Sequence, residues 1–125
     1  MWLAVWEELS APHIAAANEA AARGDCEVAT QEIRAALTML AIALSGDGYY
    51  FYTPMRHRRK SLWTMRRLFA MLRKLTGARA ERISVSHLHG KTAGLLHLPP
   101  GAEELPPRSL PALVALHPLG GDKDS

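Results

Sequence analysis

Between Met55 and Thr76 the chain carries neither glycine nor proline, and from Arg56 to Leu75 it carries no acid. Nothing in that stretch stops a helix, so it reads as one helix of about 22 residues, roughly 33 Å long. Projected at about 100° per residue, its side chains separate into two arcs. Leu62, Met65, Leu68, Phe69, Leu72 and Leu75 fill one arc. Arg56, Arg59, Lys60, Arg66, Arg67, Arg73 and Lys74 fill the other, with Trp63 among them. An apolar arc this wide has to be covered. The remainder of the chain must therefore supply a matching apolar surface.

Helices are the simplest source of it. Trp2, Val5, Trp6 and Leu9 have helical spacing, which predicts a short helix over 2–9. Ser10 reads as the cap of a second, Ala-rich helix over 11–23, with Pro12 in its first turn and Gly24 as its stop. Asp25 caps a third. In it Cys26, Ala29, Ile33, Ala36, Leu37, Leu40, Ala41 and Leu44 recur at steps of three and four, which predicts a buried thiol at Cys26. Met39, Ile42 and Ala43 fill its opposite side, so its second half is expected to be buried nearly all round.

Ser45-Gly46-Asp47-Gly48 reads as a turn and Tyr49–Tyr52 as a short strand. Thr53-Pro54 opens the basic helix and Gly77 ends it. Arg82–His89 alternates in the period of a strand, Gly90-Lys91-Thr92 turns the chain, and Ala93–Leu98 returns. From Pro99 onward Pro, Gly and acids dominate, with one or two helical turns expected over Leu110–Leu116. The expected fold is mainly α (α+β): a bundle of three to four helices with a short C-terminal β-hairpin and a Pro-rich tail. Residues 1–98 form a single helical domain ending in the hairpin, 79–98, and 99–125 form the tail.

The charge follows the same division. Fifteen Lys and Arg oppose twelve Asp and Glu, for a formal net of +3. That total is a cancellation. Residues 1–55 hold two bases and seven acids, net −5; residues 56–82 hold ten bases and one acid, net +9; residues 83–125 hold three bases and four acids, net −1. One strongly basic segment thus sits between two acidic ones, and such a local field attracts polyanions. The single cysteine, Cys26, excludes a disulfide framework within the chain and a cysteine-rich zinc site. The longest apolar run, Ala35–Leu44, is ten residues and is interrupted by Thr38, so no membrane span is expected. The first residues are acidic where a secretory signal is basic, and the expected setting is soluble and cytoplasmic.

A stripe of guanidinium groups suits phosphate, because Arg offers planar paired donors and each neutralised phosphate releases a counterion. Trp63 can stack on a base. Arg56, Arg59, Lys60, Trp63, Arg66, Arg67, Arg73 and Lys74 are thus the expected nucleic-acid-binding residues, for RNA or DNA. An ordinary solvated face mixes Glu with Lys, and this one does not. The leading expectation is a non-enzymatic nucleic-acid-binding protein, a small subunit of a larger nucleoprotein assembly with protein partner subunits, no membrane partner and no cofactor. In size and charge the chain is similar to the small helical subunits of CRISPR surveillance complexes.

Three other readings compete. An inhibitor or adaptor of phage type would dock the basic face on an acidic protein. A winged-helix DNA binder matches the order of elements but requires a break between two helices near residue 60. A small metal-dependent nuclease would use His87 and His89, with His97 on the facing strand. The His87-Leu88-His89 triplet resembles the His-hydrophobic-His pair of nucleases and relaxases, which implies a tyrosine nucleophile from Tyr49, Tyr50 or Tyr52. If His97 opposes Val85 it shares the face of the other two; a one-residue slip turns it away. Histidines packed beside a core and bonded locally are the plainer reading, so no metal is assigned.

Overall fold

A computed structural model describes residues 2–50 and 55–115, with the side chains of 46–50 and 55 outside the description. The fold is mostly helical: three helices, α1 (Trp2–Ala22), α2 (Cys26–Tyr50) and α3 (Met55–Thr76), then an antiparallel pair, β1 (Arg79–His87) and β2 (Gly90–Leu98), and a 3-10 turn at Ala102–Glu104. Helix α2 is central and packs against both α1 and α3.

The first two expected helices are one. Helix α1 runs through Pro12, and Ser10 is no cap: its hydroxyl donates to the Glu7 carbonyl at 2.9 Å, inside the helix. Pro12 removes the N–H that the Glu8 carbonyl would accept, but both residues are exposed, so water can take the bond. The end of α1 agrees with the expectation. Gly24 takes φ +79°, its N–H bonds to Ala21 and that of Asp25 to Ala20, the paired bonds of a Schellman cap. Asp25 then caps α2, its carboxylate accepting the Val28 N–H at 3.2 Å.

Helix α2 does not stop at Ser45-Gly46-Asp47-Gly48. It continues to Tyr50, so Tyr49 and Tyr50 are helical rather than extended; Phe51 and Tyr52 lie outside the described residues. Glycine weakens a helix by about 1 kcal/mol but breaks it only where the chain takes up another conformation. Cys26 is exposed, not buried, because it sits in the first turn before α2 reaches its neighbours.

Ala17, Ile33, Ala36, Leu37, Leu40, Met65 and Leu68 form the core, with Ile14, Ala41, Leu44, Phe69, Leu72 and Leu75 packed around it. Averaged along its length, Cys26–Ser45 of α2 is long and apolar enough to cross a membrane, although no single run is. Core helices pass the same test, and Ala29, Ile33, Ala36, Leu37, Leu40 and Ala43 are buried against α1 and α3. The expectation of burial nearly all round fails at Ile42, which is 43% exposed because only two helices pack on α2. Polar bonds pin the bundle. Trp2 Nε1 donates to the Ala43 carbonyl at 2.8 Å, His13 Nδ1 meets Glu32 Oε2 at 2.6 Å, and buried Ser61 of α3 donates to Glu7 Oε1 of α1 at 2.6 Å.

Helix α3 is unbroken through Lys60-Ser61, so the break required by a winged helix is missing. Gly77 ends it at φ +73°. In the hairpin the turn is Leu88-His89, not Gly90-Lys91-Thr92, and both strands are longer than expected. This register collects Ile83, Val85, Leu96 and Leu98 on one face. Neither face of the hairpin is covered by the helices. The described part of the expected C-terminal helix, 110–115, is not helical; Pro111 and the exposed Leu113 and Val114 leave it no packed face.

Candidate nucleic-acid interface

Helix α3 turns as its two arcs require. Ser61, Met65 and Leu68 point inward and are almost fully buried. Arg56, Arg59, Lys60, Trp63, Arg66, Arg67 and Lys74 are exposed, and Arg73 is half-buried at the margin. The expected site residues therefore share one face. From Arg56 to Lys74 that face is roughly 27 Å long.

The electrostatics of the face are one-signed. Among the described residues, Arg56, Arg59, Lys60, Arg67, Arg73 and Lys74 form no ion pair with a carboxylate. Glu7 of α1 is engaged by the Ser61 hydroxyl on the inward side. The Arg67 guanidinium lies over the Trp63 ring, 4.9 Å from its centroid, one turn along the helix. That cation–π contact holds the indole upright while leaving Trp63 59% exposed. Like charges at i,i+3 and i,i+4, such as Arg56 with Arg59 and Lys60, cost the helix a few tenths of a kcal/mol per pair. The inward packing of Met65 and Leu68 offsets that cost.

Two details were not legible in the sequence. Ala70 is exposed in the middle of the cationic arc, between Arg66-Arg67 and Arg73-Lys74. Its small side chain leaves a dip in the face between the two pairs of cations. Arg79 belongs to the basic segment by position, yet it is spent within the protein. It pairs with Glu81 and, at 3.2 Å, with Glu103. Glu103 is in turn held below the usual carboxylate range, first by a backbone hydrogen bond and then by Arg79. A cleft of about 280 Å³ between the foot of the hairpin and the tail is lined by this pair with Leu98, Leu105, Pro106 and Leu110. It is smaller than ordinary ligand sites, and its charges already satisfy each other.

The histidines do not converge. His97 pairs with Ala80, which places it on the sheet face opposite His87, and His89 sits in the turn. Both ring nitrogens of His87 are engaged: Nδ1 accepts the His89 N–H at 3.2 Å and Nε2 lies 2.9 Å from Thr92 Oγ1. Among the described residues no cluster of three metal-ligating side chains occurs. Tyr49 and Tyr50 belong to the end of α2, and Tyr52 lies outside the described residues. Compared with protein-family models, curated proteins and solved structures, the chain matches none.

Proposed function

We propose that this protein binds nucleic acid without catalysing a reaction, as a small subunit of a nucleoprotein assembly, and that α3 lies along the phosphate backbone. The observation that carries the reading is the α3 face. Seven cations and one exposed tryptophan share an arc roughly 27 Å long, and the helix carries no acid of its own from Arg56 to Leu75. A duplex presents one phosphate per strand about every 3.4 Å of its axis, so a face of this length reaches several phosphates. Arg56, Arg59, Lys60, Arg66, Arg67, Arg73 and Lys74 would donate to phosphate oxygens, which positions the polymer without reading its sequence. Trp63, with one face against Arg67, would stack its other face on an unpaired base.

The test is affinity for labelled single- and double-stranded RNA and DNA across a salt series. Binding should be present at low salt, fall steeply as salt rises, and disappear on reversing the charge at Arg59, Lys60 and Arg67 while helicity is kept. No affinity at low salt refutes the reading. A stoichiometric acidic protein held by the same residues, with nucleic acid unbound, would put the adaptor reading in its place.

A further inference from the structure

The hairpin carries a second cationic face. Opposite Ile83, Val85, Leu96 and Leu98, the register places Arg82, Ser84 and Ser86 of β1 beside Lys91 and His97 of β2. All five are exposed. The one acid in the two strands, Glu81, lies on the apolar side, where it pairs with Arg79, and Arg79 also holds Glu103 of the tail. Exposed Glu104 follows in the 3-10 turn, outside the strands. Among the described residues neither Arg82 nor Lys91 forms an ion pair. Between them the face is low: Ala93 stands opposite Ser84, and Leu95, 38% exposed, is its one large apolar side chain.

We infer that this face is a second phosphate-binding surface and that a nucleic-acid strand held along α3 continues onto it, an extension that rests on the reading of α3 as the first contact. Guanidinium, ammonium, hydroxyl and imidazole groups all donate hydrogen bonds, and no carboxylate or amide side chain stands among them. Phosphate oxygens accept from such groups. Alternate residues of a strand are about 6.8 Å apart, so Arg82, Ser84 and Ser86 make a row of donors about 14 Å long, with Lys91 across from Ser86 at its far end. A polymer with a charge at every step can use such a row. An acidic protein would centre its contact on apolar or aromatic anchors, and this face offers one leucine.

The two faces are close enough to share one strand. Thr76 ends α3 and Arg79 opens β1. Lys74 and Arg82 are eight positions apart in the chain, so their Cα atoms are separated by at most about 29 Å. A single strand of about 8 nucleotides fills the α3 face at roughly 3.4 Å each, and one of about 20 reaches past that gap to the hairpin. Loss of the hairpin cations should therefore be felt by the longer strand only.

The experiment is fluorescence anisotropy of the full chain with labelled single strands of both lengths, between about 50 and 200 mM salt. Replacing Arg82 and Lys91 together by Gln should flatten the slope of log K against log salt by about 1.4 on the longer strand, so that roughly sevenfold less affinity is lost over this interval. The slope on the shorter strand should stay as it is. Ser84→Lys, on the same face, should steepen the longer-strand slope by about 0.7, a gain that a collapsed hairpin would not give. Thr92→Lys puts the same charge on the opposite face and should leave the slope alone. A shorter strand that does not bind refutes the reading of α3. A shorter strand that binds, with a double variant that matches wild type on the longer one, overturns the hairpin surface alone. Equal gains from Ser84→Lys and Thr92→Lys also overturn it, as does an acidic protein released by the double variant while the longer-strand slope stays at the wild-type value.

Discussion

Replacing Arg59, Lys60 and Arg67 together by Gln removes three exposed cations of α3 that form no ion pair with a described carboxylate. If about six of the seven cations contact phosphate, log K should fall against log salt with a slope of about −5 on a duplex or −4 on a single strand. Between about 50 and 200 mM salt the wild-type chain should lose roughly 300- to 2,000-fold in affinity. The triple variant should keep half of that slope and lose only about 20- to 40-fold over the same interval. Fluorescence anisotropy with an end-labelled oligonucleotide measures both lines. The fold should be kept, because none of the three side chains enters the core, and relief of the repulsion of Arg56 with Arg59 and Lys60 is stabilising by a few tenths of a kcal/mol. Equal slopes for the two proteins would show that α3 is not the contact. A wild-type slope near zero would show that phosphate is not the ligand.

Trp63→Ala should weaken binding to single strands by about 1 to 3 kcal/mol and binding to duplex much less, read by the same anisotropy assay, since only unpaired bases offer a free face. Ser61→Ala leaves the Glu7 carboxylate without its 2.6 Å donor at the α1–α3 contact, and the urea midpoint should drop by the equivalent of about 1.5 to 3 kcal/mol with the slope unchanged. The depressed Glu103 carboxyl contributes stability above its unfolded value and loses it as pH falls through the lower folded value. The Glu103 side-chain carboxyl, followed by NMR across an acid titration, should therefore titrate below the ordinary carboxylate range, and Arg79→Gln should move its midpoint upward.

The contrast between α3 and the hairpin shows where local chemistry was sufficient. No glycine or proline interrupts α3 from Met55 to Thr76, and apart from Arg58 on the apolar side its two arcs differ so sharply that the inward side is decided before any partner is known. The caps at Gly24, Asp25 and Gly77 were legible for the same reason, since each depends on a few neighbouring backbone bonds. The hairpin was not. Leu88-His89 and Gly90-Lys91-Thr92 both admit a turn, and shifting the turn moves His97 to the other face of the sheet. Ser10 and Pro12 read locally as a helix start, and the helix passes through them because α2 holds both flanks.

The sequence by itself determined the basic helix, the face it buries and the set of cations on the other face. These follow from residue type and a period of 3.6, which act within one element. The tertiary structure alone decided that Glu7 reaches Ser61, that Arg79 is neutralised by Glu103, that His97 lies on the sheet face opposite His87, and that among the described residues one side of α1–α2 has no cover. Each of those joins residues distant in the chain, or depends on how many neighbours a helix finds. Spacing along one helix carries no information about either.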